Sequence, residues 1–206
     1  MAVIPQRTIS QFKSKLVGGG VRPNLFEVQV NFPDNVDLGI QQDGGGEFDG
    51  DRFRFLCKAA SLPASNVGNI DIPFRGRTLK VAGDRTVDTW TITVINDEDF
   101  IIRNHMEDWM NGISKLDNNT GATNPQSYMT DANVVQLGHG AGLGIESTGN
   151  TTGTSSVELR RYNFFDIFPT NVSTIDLSYD STDTIEEYTV EFQVQYWSAV
   201  QGITVD

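Results

Sequence analysis

The chain holds one cysteine, Cys57, among 206 residues. No intrachain disulfide is possible, and a secreted disulfide-stapled scaffold is excluded. It holds two histidines, His105 and His139, neither with a cysteine or a second histidine at metal-ligand spacing. No window reaches 18 apolar residues, so neither a transmembrane helix nor membrane insertion is expected. The opening "MAVIPQRTISQFKSKLVGGG" lacks the unbroken apolar stretch of a signal peptide. Bases are scarce: 15 Lys and Arg against 27 Asp and Glu give a formal net charge of −12. Gripping nucleic acid takes cations that displace phosphate counterions, so this balance argues against tight DNA binding while allowing DNA to lie alongside.

Motifs that carry chemistry are missing too. "GHGAGLG" fails the G-x-G-x-x-G spacing, and no helical pattern follows to receive a phosphate. A P-loop is absent, and neither "NDEDF" nor "DGGGEFDGD" fits the calcium-loop pattern. Acids are plentiful enough for two to meet as a hydrolytic pair, yet nothing singles out a pair. No catalytic, cofactor-binding or metal-binding residue is assigned, no cofactor is expected, and an enzyme is unsupported.

What is there is alternation. "LFEVQVNF" sets Phe26, Val28, Val30 and Phe32 against Glu27, Gln29 and Asn31. "RFRFLCKAA" reads as a strand with Phe53, Phe55, Cys57 and Ala59 on one side and Arg52, Arg54 and Lys58 on the other. "NIDIPF" and "RTLKV" read as short strands around an Arg75-Gly76 turn. "TVDTWTITVI" alternates Trp90, Ile92 and Val94 with Thr89, Thr91 and Thr93, and threonine's branched Cβ suits the pleat. "NDEDF" then opens a helix, with Asn96 as N-cap and Ile102, Met106, Trp109, Met110 and Ile113 as its apolar stripe. Further strands are expected in "SYMTDANVVQL", "VELRRYNFFDIFP" and "NVSTIDLSY". The last, "TIEEYTVEFQVQYWSA", alternates Tyr188, Val190, Phe192, Val194 and Tyr196 with Glu187, Thr189, Glu191, Gln193 and Gln195.

Many strands and one helix predict a mainly β, antiparallel sandwich or partly closed barrel, as one domain over residues 1–206. Residues 1–20 read as an N-terminal arm, and 33–50 and 138–156 as long polar, glycine-rich loops. The consistent polar strand faces have two readings. An ordinary sandwich with one wet side is favoured by composition alone; the sharper reading is an aqueous channel lined by several copies.

"GRTLKVAGDRTVDTWTITVINDEDFIIRNHMEDWMNGI", residues 76–113, closely resembles the central motif of tail tube proteins from contractile-tailed, T-even-like bacteriophages. "FPTNVSTIDLSYDSTDTIEEYTVEFQVQYW" and the "F-E-V-Q-V-x-F-P" segment resemble that family's C-terminal hairpin and N-terminal strand. The match is weakest at 33–50 and 114–156. The resemblance implies a homo-oligomer: hexameric rings stacked into the hollow inner tube of a contractile tail, in a virion assembled in the host cytoplasm. It implies sheath, tape-measure, baseplate tube initiator and tail terminator proteins as partners, and transient, non-specific passage of DNA. On that implication the lumen-facing set is Glu27, Gln29, Asn31, Arg52, Arg54, Lys58, Thr89, Thr91, Thr93, Glu187, Thr189, Glu191, Gln193 and Gln195. Trp90, Ile92, Val94, Ile102, Met106, Trp109 and Met110 are core. A basic stripe at Arg52, Arg54 and Lys58 would hold DNA back, so these cations are expected to pair with acids on neighbouring strands. The alternatives are a baseplate tube initiator, the tube of a contractile injection or secretion device, a carbohydrate-binding sandwich and an enzyme. The aromatics argue against the sugar binder, because most fall on core faces rather than on a flat platform.

Overall fold

The computed structural model describes residues 8–16, 20–33, 50–141 and 156–201. In chain order the elements are α1 (Ile9–Lys15), β1 (Phe26–Val30), α2 (Gly50–Leu56), β2 (Cys57–Ala60), β3 (Asn66–Phe74), β4 (Arg77–Thr86) and β5 (Trp90–Ile95). They continue with α3 (Ile101–Ile113), α4 (Pro125–Tyr128), β6 (Thr130–Ala141), β7 (Ser156–Val172), β8 (Glu187–Gln193) and β9 (Tyr196–Gln201). Every strand pairing is antiparallel.

Seven strands form one folded sheet in the order β1-β6-β7-β8-β5-β2, with β9 also on β7. The 17-residue β7 makes the corner. Its first part pairs with β6 and β9, and from Phe168 onward it pairs with β8. Asp166, at φ 53°, marks the bend, and the Asp131 carboxylate accepts its backbone N–H at 3.2 Å. A bulged residue at such a corner lets one strand serve two layers.

Alternation explains what lies between the layers. Val28 and Val30, Trp90, Ile92 and Val94, and Tyr188, Val190 and Phe192 all turn inward and are buried, with Phe164 and Ile167 from β7. Trp90 stacks on Phe164 at 4.4 Å between ring centroids. The indole N–H donates to the Ser61 carbonyl, so its one polar atom is satisfied. The helix α3 covers the sandwich with Ile102, His105, Met106 and Trp109 buried and Met110 half-buried.

Several expectations are corrected. "RFRFLCKAA" is not one strand: residues 50–56 are helical, and only Cys57–Ala60 pairs with β5. Phe53, Leu56 and Cys57 stand at i, i+3 and i+4, so helical spacing buries them together, and Phe55 is thrown out to 85% exposure. Asn96 does not cap α3. Its backbone N–H and side-chain amide both donate to Glu186, and the N-cap is Phe100 in the left-handed region. Residues 127–128 close the short α4, whereas β6 runs on through 138–141, four residues assigned to the loop 138–156. Residues 173–186 have no strand, and the last expected strand is interrupted at Val194 and Gln195, between β8 and β9, which takes Tyr196 off the core face. Within the arm, Thr8 opens α1 with a capping box, its side chain accepting from the Gln11 N–H. Residues 1–7, 17–19, 34–49 and 142–155 lie outside the described residues, and with them most of both long loops.

Candidate assembly surface

The polar strand faces look outward from the sandwich. On the β5–β8 ladder Thr91 stands opposite Glu191 and Thr93 opposite Thr189, all half-buried. Gln193 continues this face, opposite Phe168 on β7. On β1 Gln29 faces Asn133 of β6, whose amide donates to it at 3.4 Å. Asn31 follows β1 with its backbone N–H on the Asp131 carbonyl. Thr89 lies before β5 and Gln195 between β8 and β9, so these two are exposed but sit on no ladder.

Each cation of the expected basic stripe has an acid, and two of the three leave the strand. From α2, Arg54 donates to Glu27 on β1, bridging the gap between the terminal strands β1 and β2. The Lys58 ammonium on β2 lies 2.5 Å from Glu187 on β8. Arg52 turns away to the acidic turn before α3, at 2.6 Å from Asp97 and 2.8 Å from Asp99, and the bond to Asp99 is the chief reason its pKa is raised. These pairs are partly exposed and add little stability. Their effect is electrostatic: Arg54 and Lys58 are neutralised within one surface that includes Glu27 and Glu187.

Nothing among the described residues gathers three metal-ligating side chains. Cys57 is buried, and desolvation pushes its thiol up to about 12. His105 is buried on α3 with Nδ1 2.6 Å from the Ile101 carbonyl, a helical i−4 contact rather than a ligand geometry.

The other prominent surface is the β3–β4 hairpin, a two-stranded sheet separate from the main one. Arg75 and Gly76 form its turn with φ 44° and 80°, the mirror-image turn that suits a twisted two-residue hairpin. Cross-strand register stacks Ile70 on Val81 and Ile72 on Leu79, with Phe74 opposite Arg77. These apolar side chains share one face, and all are exposed, Phe74 at 66%. A lone hairpin is marginal in water, and a contiguous exposed apolar face of this length is unusual on a monomer.

A profile of the phage tail tube protein family matches residues 21–200. The chain belongs to the phage tail tube protein family. It is 32% identical over 180 residues to tail tube protein gp19 of Enterobacteria phage T4, covering 87% of this chain and 92% of that one. With the tail tube protein of Serratia phage KSP90 it shares 26% identity over 198 residues, 94% of this chain and 96% of that one. Among solved structures, the fold resembles a chain of an extracellular contractile injection system sheath–tube complex, PVC, with TM-score 0.53 and 14% identity. That likeness covers 95% of this chain and 99% of the other. Family membership accords with two-faced strands over the core of the described residues. The reading from sequence missed α2 and with it the exposure of Phe55. The spacing of Phe53, Leu56 and Cys57 was the available signal.

Proposed function

We propose that this chain is the structural subunit of the inner tube of a contractile phage tail, polymerising as hexameric rings stacked into a conduit for genome delivery. One observation carries the reading: similarity to the T4 tail tube protein runs along almost the whole length of both chains. Sheath and terminator proteins are the expected partners of the assembled tube, with the tape-measure protein and then DNA in its lumen. The free edge of β9, which pairs only with β7 among the described strands, and the edges at β1 and β2 are where neighbouring sheets would join.

The lumen wall in this reading is the outer face of the β5–β8 ladder with Glu27, Arg54, Lys58 and Glu187 beside it. Thr91, Thr93, Thr189 and Glu191 present hydroxyls and carboxylate, and the nearby cations are already paired, so the wall offers phosphate no free positive charge. Glu187 holds Lys58, so the cleaner test is Glu191→Lys. Phage carrying this variant should assemble tails and eject DNA more slowly, read as dye uptake by released genomes. Ejection at the parent rate from intact tails removes this face from the conduit.

A further inference from the structure

Two half-buried polar residues flank the acidic turn between β5 and α3: Asn96, just past β5, and Arg103, in the first turn of α3. Each reaches one end of the same segment, the connection between β7 and β8, residues 173–186. Asn96 holds the far end. Its backbone N–H donates to the Glu186 carbonyl at 2.9 Å, and its side-chain amide donates to the Glu186 carboxylate at 2.9 Å. Arg103 holds the near end, where its Nη1 donates to the Ser173 carbonyl at 3.3 Å. The arginine is itself fixed: Nε donates to Glu107 at 2.7 Å, and the guanidinium lies 5.2 Å from the centre of the buried Tyr188 ring. Ser173 is fixed from its other side by Thr189. Its N–H donates to the Thr189 carbonyl and its hydroxyl accepts the Thr189 N–H, both at 2.9 Å.

A connection of this length with no strand or helix of its own is uncommon in a compact domain unless it serves a function. Ile175 packs against the core, and past it Leu177, Tyr179 and Ile185 are exposed. The fold therefore grips both ends of a segment whose apolar tip lies in water. A loop gripped in this way has already lost much of its conformational freedom, so docking its tip costs less than ordering a free loop. Arginine suits the near end because its planar fork serves a carboxylate, a carbonyl and a ring face at once, which the point charge of lysine cannot do. We infer that Asn96 and Arg103 are positioning residues that clamp the two ends of the 173–186 connection and hold its tip ready for a contact with a second copy of this chain. The contact with a copy rests on the tube reading; the clamp does not.

The test reads chymotrypsin cleavage after Leu177 and Tyr179 in the full chain at low concentration, with fragments mapped by mass spectrometry, and then the concentration at which the chain assembles. Asn96→Asp sets a carboxylate against that of Glu186, and Arg103→Lys keeps the charge but loses the fork. Each should speed these two cleavages at least ~10-fold while amide exchange in α3 and β5 stays at the parent rate. Adding Glu186→Gln to Asn96→Asp lets an amide donate across the same gap in the reverse direction, and should return cleavage to the parent rate. The single variants should raise the assembly concentration ~3-fold or more, and the swapped pair should bring it back. Parent-rate cleavage in both single variants, an equal rise of exchange in α3 and β5, or no recovery in the swapped pair overturns the clamp. Faster cleavage with parent-like assembly overturns the role of the tip in joining copies. A parent chain that never assembles overturns the tube reading and the contact between copies, and the cleavage rates then still decide the clamp.

Discussion

At residue scale, Gly121 shows how little room the fold leaves. A Cβ there would sit 2.0 Å from the Ile113 carbonyl oxygen and 2.6 Å from its carbon, and that obstacle is backbone. The close approach lets the Ala122 N–H reach the Gly112 carbonyl at 3.0 Å and tie the loop after α3 to its last turn. Gly121→Ala is expected to cost about 2–3 kcal/mol, read from the urea midpoint; an unchanged midpoint contradicts the packing. Cys57 makes a pH prediction. Its folded-state thiol is raised from 9.0 to about 12 by burial. The unfolded thiol ionises near pH 9 while the folded one stays protonated, so stability is intact below pH 9 and is lost as pH rises toward 12. Burial shifts Tyr188 in the same direction. The urea midpoint should therefore fall steadily from pH 9 to 11, and Cys57→Ala should flatten part of that slope. A midpoint level across this range contradicts it.

At the scale of elements, the strand faces were legible wherever strict alternation ran through a strand buried on one side. The interleaving of Trp90, Ile92 and Val94 with threonines, and of Tyr188, Val190 and Phe192 with polar residues, survives unchanged in the fold. It misled where periods two and 3.6 both fit: Phe53 and Cys57 belong to either pattern, and only the packing of Leu56 in place of Phe55 decides for helix. The pairing of Arg54 and Lys58 with acids was foreseeable from charge, but the bridging position of α2 was not, because it depends on how the sheet folds back. Nor does alternation say whether an apolar face is covered. Ile70, Ile72, Leu79 and Val81 read like any core face, yet among the described residues nothing buries them. Replacing residues 67–85 by a short Gly-Ser turn, keeping the Asn66–Asp88 hydrogen bond, should change monomer stability by no more than about 0.5 kcal/mol and should abolish assembly. A large loss of monomer stability contradicts the separateness of the hairpin.

At the scale of the whole molecule, one core is wrapped by a sheet bent at Asp166, its terminal strands β1 and β2 linked by the Arg54–Glu27 pair. The surplus of acids keeps such a strand-rich subunit apart from its copies until specific surfaces meet, and it keeps a conduit from holding DNA. Among the described residues the polar groups of the β5–β8 ladder are spread over a sheet face, which suits a wall. The most direct measurement is electron microscopy of the purified chain across protein and salt concentration. Six-membered rings, and hollow tubes built by stacking them with the β5–β8 face toward the lumen, are the predicted result. A protein that stays monomeric under every condition, or tubes whose inner wall is some other face, would contradict the account.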